Sequence, residues 1–239
     1  MRKFFFILLL IPLLSISQTK NVINSFRVFP KPDKIAEFEK GMAAHAQKYH
    51  TGNWKWRVYE IQSGPDANGF HVIEGPLSWD EFDKRGDLSA EHQADWNKNV
   101  APYITSQGTS SYNEFDTALS NVAMTDYADK IIINHIHPKP GMLTALNDLV
   151  KRMKKVWQAS NESVAVYHTV YSGAPQISQV TRLKAGLKEL DASYRKSFPE
   201  RYNEVYGEGA WTHYLEDYAK IVESRWSELL FVRNDLGSK

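Results

Sequence analysis

The sharpest candidate for chemistry in this chain is His135-Ile136-His137, inside INHIHPKPG. In an extended strand, residues i and i+2 share a face and stand about 7 Å apart. The two imidazoles therefore suit either one metal ion or the polar wall of a cavity. No third histidine or carboxylate stands close in sequence, which favours the wall. A second stretch, FRVFPKP, carries Arg27 three residues before its Pro-Lys-Pro, the place that His135 holds before the other. Arg27, His135 and His137 are accordingly the catalytic candidates, as groups for acid–base chemistry. Around them, Tyr59 and His168 align in the following strands at an offset of 109, and Glu114 and Glu228 in the closing strands at 114. These four are expected to bind a ligand or to pair with the basic trio, because a buried lone carboxylate is costly.

Other histidines are read from the elements that carry them. His92, in SAEHQADW, and His213, in AWTHYLEDY, fall in helical stretches before a closing strand and join the ligand-binding candidates. His45 lies on an apolar helical stripe where the second copy has Met153, so it is read as a packed core residue. No nucleophile elbow, Gly-rich phosphate loop, HExxH or CxxC pattern appears. The residues alone name no metal and no cofactor.

The elements that position these groups are written twice. Pro30-Lys31-Pro32 and Pro138-Lys139-Pro140 stand 108 residues apart. The helix after the first carries Ile35, Phe38, Met42, His45 and Tyr49. The helix after the second carries Leu143, Leu146, Val150, Met153 and Trp157 at the same 3, 4, 3, 4 spacing. That is one amphipathic stripe in register, with a proline at each helix entrance, where a missing N–H costs nothing. Strands are expected at Val22–Phe29 and Lys130–His137, then at Trp54–Ile61 and Ser163–Tyr171, with third strands at Phe70–Glu74 and Ile177–Leu183. Each copy closes on an aromatic-x-Glu-apolar strand, at 112–115 and 226–229.

Each half therefore reads β-α-β-β-α-β, a ferredoxin-like α+β unit, spanning 18–116 and 127–239 with a linker at 117–126. A four-stranded antiparallel sheet with helices on one face needs its other face covered. The expected cover is the second sheet, face to face, with helices outside and an extra helical segment in the second half. Strand alternation then turns Ile23, Ser25, Arg27 and Ile131, Ile133, His135, His137 inward, with Phe26, Val28 and Ile136 under the helices.

This pattern resembles the dimeric α+β barrel superfamily, which includes antibiotic-biosynthesis-type monooxygenases, EthD-like, NIPSNAP-like and haem-degrading proteins. The chain looks like a tandem version, two copies fused into a pseudo-dimer. The resemblance implies a small-molecule-binding barrel, monooxygenase-like and independent of a cofactor, acting on an apolar or aromatic compound. It leaves open a non-catalytic module with a filled core. It also leaves open a haem-binding protein, in which His92 or His213 would take the place of the family's axial ligand.

Composition bounds the setting. Met1-Arg2-Lys3 followed by the apolar run Phe4–Leu14 and small residues at 15 and 17 reads as a signal peptide cleaved before Gln18. The chain has no Cys, so lipidation at a leader cysteine and disulfides are both excluded. A secreted or periplasmic location is expected. Without the leader, acidic residues exceed basic ones by one, which argues against nucleic acid or an anionic membrane as partner. A small-molecule ligand is the expected partner, bound by a monomeric pseudo-dimer or a homodimer. The 12 Tyr, 11 Phe and 7 Trp supply rings enough to line an apolar cavity as well as to fill cores.

Overall fold

The computed structural model describes residues 19–85 and 88–239; the signal peptide expected at 1–17 lies outside them. Eight antiparallel strands form one closed barrel in the order β1-β3-β2-β8-β5-β7-β6-β4. They are β1 (Val22–Pro30), β2 (Trp56–Ile61), β3 (Phe70–Leu77), β4 (Ile104–Phe115), β5 (Lys130–Pro138), β6 (Val164–Val170), β7 (Gln176–Arg182) and β8 (Val222–Val232). Within residues 22–115 the strand order is β4-β1-β3-β2, and within 130–232 it is β8-β5-β7-β6. The two groups meet edge to edge, through Tyr59↔Val232 to Ile61↔Leu230 on one side and Tyr112↔Val170 to Phe115↔Tyr167 on the other. The expected barrel core with helices outside is present, but it is closed by ladder pairing at both edges rather than by two separate sheets laid face to face. Joining the edges by ladder hydrogen bonds leaves no edge strand unpaired and wraps the inward faces around a single interior.

The helices lie outside. Helix α1 (Ile35–Tyr49) lays Phe38, Met42 and Ala46 over Val28, Trp56, Val58, Phe70 and Val72. Helix α4 (Leu143–Ala159) lays Leu146, Leu149, Val150, Val156 and Trp157 over Ile136, Val164, Val166 and Ile177. The apolar stripe sits where its period puts it, except that Ile35 at the open first turn of α1 is exposed. Short α2 (Trp79–Lys84) and α3 (Ala90–Asn99) cover the first group of strands. On the second, α5 (Phe198–Tyr206) and α6 (Ala210–Ile221) pack Tyr202, Trp211 and Tyr214 against α4. The expected extra helical segment is this α5–α6 pair with the loop before it.

Two elements depart from the sequence expectation. The closing strands β4 and β8 run 12 and 11 residues, because ITSQGTSS (104–111) continues β4 although its polar run reads as loop. It is held as strand by pairing with β1 from Gly108 onward and again at Ile104, with a bulge between. The residues between β4 and β5, expected as a linker, seal one end of the barrel. Val122 and Met124 pack on Ile23, Phe115 and Tyr167. Buried Arg182 donates to the carbonyl oxygens of Ala123 (2.6 Å), Met124 (2.9 Å) and Asp126. Among the described residues no helix is long and apolar enough to cross a membrane.

Helix α1 approaches the end of α3 closely at Gly41. A Cβ there would lie 1.8 Å from the Asn99 carbonyl oxygen, a backbone atom that cannot swing aside. Glycine inside a helix costs about 1 kcal/mol against alanine, and here that cost permits the contact. Gly41→Ala is therefore expected to lower stability by about 1–3 kcal/mol despite its better helix propensity, read as a fall in the urea midpoint at unchanged m-value.

Candidate functional site

The inward faces of the strands enclose a cavity of about 270 Å³. One end is mostly apolar, lined by Ile23, Ile73, Ile131, Ile133, Tyr59, Tyr167 and Val180, with the Arg182 guanidinium beside the two tyrosines. Tyr59 is buried and donates its hydroxyl to the Ala128 carbonyl oxygen at 3.1 Å; desolvation pushes its pKa up to about 12. The cavity exists because the β4 residues that face it, Thr109, Ser111 and Asn113, are small. Ser25, Ser111, Asn113 and Thr169 bond to one another in a polar belt, with Asn113 Nδ2 at 3.0 Å from both serine hydroxyls and Thr169 Oγ1 at 2.9 Å from Asn113 Oδ1.

The other end is charged. Arg27 on β1 and His135 on β5 are each 7% exposed and stand together, with Arg27 Nη2 3.5 Å from His135 Nε2. Glu228 on β8, 2% exposed, accepts from both: from Arg27 at 2.9 Å and through a second, shorter bond, and from His135 Nε2 at 2.8 Å. Asp66, in the loop between β2 and β3, takes a further Arg27 bond at 2.5 Å. Gln176 Nε2 donates to His135 Nδ1 at 2.8 Å, which fixes the proton on Nε2 facing Glu228. Trp226 stacks on the His135 ring at 3.9 Å and completes the wall. Burial works against Glu228 as a carboxylate, but its hydrogen bonds to His135 and Arg27 outweigh it and hold its pKa below the usual range. Burial lowers the His135 pKa despite Glu228, so the imidazole is neutral.

His71 is the residue that the sequence reading missed. It lies on β3 opposite both Arg27 and Tyr59, is 8% exposed and lines the cavity. Desolvation first, and then the Arg27 charge, push its pKa down to about 3. Its Nδ1 has no hydrogen-bond partner among the described residues. This buried imidazole is neutral and a weak base; a negative charge forming on a ligand beside it would favour its protonation. The signal was available: alternation in FHVIEG puts His71 on the face opposite Phe70 and Val72.

The other expected site residues lie elsewhere. His137 shares the inward face of β5 but is half-buried at the end of the strand, outside the cavity lining, so the two imidazoles form no metal pair. His168 points away from the cavity and bonds Asp116 at 3.0 Å. The consistent offset of 108 pairs Tyr59 with Tyr167, and aligning on 109 selected the opposite face. Glu114 lies outside the barrel, accepting from Trp79 Nε1 at 2.7 Å. Strand pairing sets Ser25 against Ser111 and Ile133 against Glu228, so Ser111 is the counterpart of Glu228 and Glu114 is that of Phe231. His213 is exposed on α6 beside Glu216. His92 sits on the outer layer with His45 and His50. Neither His92 nor His213 lines the cavity, so neither stands where a haem inside it would need a ligand. His45 is buried as expected, but in contact with Asp95 and His92 rather than with apolar side chains alone.

No protein-family model matches the sequence, and comparison with curated proteins finds no match. Solved structures do match. An anthrone oxidase-like protein aligns with TM-score 0.59 and 16% identity over 90% of this chain and 92% of its own. A candidate monooxygenase from Lactobacillus acidophilus NCFM aligns at 0.52 and 9% over 92% and 96%. Another from Fusobacterium nucleatum subsp. nucleatum aligns at 0.52 and 11% over 88% and 91%. The chain shares with these structures a closed antiparallel barrel with helices outside. At these identities the likeness carries the architecture and nothing of the site.

Two outcomes test this geometry. Glu228→Ala leaves a buried guanidinium and imidazole facing each other, and is expected to cost roughly 3–5 kcal/mol in urea unfolding. Glu114→Ala, on the outer surface, should cost less than about 1.5 kcal/mol. The second concerns pH. His71 and His135 have folded pKa values below the ordinary 6.5, so below that pH the unfolded chain binds the extra protons. Their contribution is complete above about pH 6.5 and falls as pH drops, by about 1.4 kcal/mol per pH unit for each histidine. His71→Phe should flatten the acid limb of stability against pH by one such slope.

Proposed function

We propose that this chain is an exported barrel protein that encloses a small apolar or aromatic compound and oxidises it without a cofactor, as a monooxygenase-like enzyme. The observation that carries this reading is the cavity inside the barrel, walled by isoleucine and tyrosine side chains together with neutral His71 and the Arg27 guanidinium. At about 270 Å³ the cavity is just below the range of drug-sized sites, which suits a compact ring system. The leader-like start of the sequence supports export. An anthrone oxidase-like protein shares the fold, which makes oxidation the reaction to test.

The chemistry fits a CH₂ group made acidic by flanking rings or a carbonyl. His71 accepts its proton as the anion forming beside it raises the imidazole's basicity, and Arg27 stabilises the negative charge that spreads onto a substrate oxygen. The carbanion then forms a C–O bond with dioxygen. The resulting hydroperoxide breaks its O–O bond as the second proton leaves carbon, giving a carbonyl and water. One oxygen atom enters the product, the other enters water, and all electrons come from the substrate. Tyr59 and Tyr167 supply ring surface for an aromatic substrate, while His135 and Glu228 hold Arg27 in place.

We further read the barrel as two ferredoxin-like halves, 18–116 and 127–239, in one monomer. The equal strand orders β4-β1-β3-β2 and β8-β5-β7-β6 support this, as does the 108-residue register that sets Arg27 against His135. The cavity speaks against a filled barrel. Trp54 and Trp56 lie outside it, against Phe82 and under α1.

Oxygen uptake with a panel of tricyclic enolisable phenols tests the function. At least one compound should raise the thermal midpoint and consume dioxygen in equimolar amount. His71→Gln should lower kcat by about 10²–10⁴-fold, the usual share of a general base, while retaining the thermal shift. A full rate in His71→Gln, or no uptake with any member of the panel, overturns the assignment.

A further inference from the structure

A second convergent group lies outside the barrel, on elements the cavity does not use. His45 is on α1, His50 caps its C-terminus, and His92 is in the first turn of α3. His45 Nε2 is 3.1 Å from His92 Nε2, which is 3.3 Å from His50 Nε2. The three ligand atoms all lie within 4.8 Å of one another. The far nitrogens of two rings are already engaged: His45 Nδ1 is 2.8 Å from Asp95 Oδ2, and His50 Nδ1 is 3.2 Å from Glu74 Oε2.

These contacts decide the tautomers. An ionised carboxylate only accepts, so His45 and His50 each carry their proton on Nδ1 and turn a lone pair on Nε2 toward the common centre. His92 Nε2 brings at most one proton to that centre, which serves one lone pair well and leaves the other facing it. The arrangement lacks a positive charge in its middle. Nitrogens bound tetrahedrally to one zinc ion at about 2.0–2.1 Å are separated by roughly 3.3–3.4 Å, close to the two spacings that His92 Nε2 makes, 3.1 and 3.3 Å.

We propose that His45, His50 and His92 bind one divalent transition-metal ion of the zinc class through their Nε2 atoms, with the fourth position open to water. The donor set supports this class. Imidazole suits Zn²⁺ and its neighbours, whereas Mg²⁺ and Ca²⁺ take oxygen ligands. Asp95 and Glu74 supply the carboxylate–histidine pairs that orient metal-binding imidazoles and raise their basicity. Glu74 is itself fixed by Trp56 Nε1 at 3.0 Å and Arg85 at 2.8 Å. The His50 ring stacks on Trp56 at 3.5 Å, and His45 meets Trp96 edge-on at 5.3 Å. The rings are thus held before any ion arrives. His45 and His50 are buried and His92 is half-buried, so an ion reaches the site from the His92 side. Once bound, it would cross-link α3 to the C-terminal end of α1.

Zinc titration of the purified chain, free of any affinity tag and stripped with chelator, tests the proposal. One equivalent of Zn²⁺ should bind and raise the thermal midpoint, and Co²⁺ in its place should give the intense visible bands of a tetrahedral nitrogen site. His92→Ala should weaken Zn²⁺ binding by more than about 100-fold, and Asp95→Asn by about 10–100-fold. The midpoint of His92→Ala in chelator should match that of stripped wild type. If His92→Ala does not fold, His92→Gln and the wild-type Co²⁺ spectrum decide instead. Failure of the stripped wild type to bind an equivalent of Zn²⁺ overturns the proposal. So does stoichiometric binding that survives substitution of His92, or a Co²⁺ spectrum without tetrahedral bands.

Discussion

A guanidinium cannot be left alone inside a protein, and the barrel is arranged around that constraint. Arg27 on the first strand finds its carboxylate on the last, 201 residues away. His135, from the fifth strand, bonds the same carboxylate. Three strands from both ends of the chain must therefore be in place before the charge is satisfied. A one-residue slip of β1 would turn Arg27 into the apolar layer beneath α1, among Phe38 and Met42. Such clusters add little net stability, because desolvation offsets the attraction. What this one contributes is register, and the same register brings the charged end of the cavity to one place.

The outer layer answers a different requirement. Each helix must cover the outward face of its strands, and the two groups of strands are covered by different means. On the second, α4 meets an aromatic stack of Tyr202, Trp211 and Tyr214 from α5 and α6. On the first, α1 comes so near to α3 that only glycine fits at position 41. That close approach also brings His45 and His92 within reach of one another. A helix-packing detail thus sets the geometry of a polar cluster on the far side of the sheet from the cavity.

Much of the architecture was legible because its signals are local. The Pro-Lys-Pro tripeptides and the helical stripes share one offset, and alternation then assigns the faces of β1 and β5 correctly, Arg27 and His135 included. Legibility ended where alignment rested on similar letters. Glu114 and Glu228 look alike in sequence, but pairing with β1 and β5 makes Ser111 the counterpart of Glu228. Tyr59 was matched to His168 across an offset one residue too long, which is enough to exchange the faces of a strand. The cavity was illegible for another reason. It is a consequence of small residues, Thr109 and Ser111, in a polar run that carries no alternation until β1 pairs with it. His45 and His92 lie 47 residues apart, and no local pattern connects them.

Those small residues have a further meaning when set beside their counterparts. Where β8 presents Glu228 and Trp226 to the interior, β4 presents Ser111 and Thr109. In an assembly of two identical subunits every substitution is written twice. Bulk and charge gained at one position would then appear again across the axis, and the space would close or a second like charge would enter. A single chain escapes that rule. One group of strands contributes the filling and the carboxylate, the other contributes the room, and the interior keeps one site with one orientation. A ligand inside would meet a one-way enclosure, with Arg27 on one side of it only, rather than two orientations of equal energy related by a twofold axis.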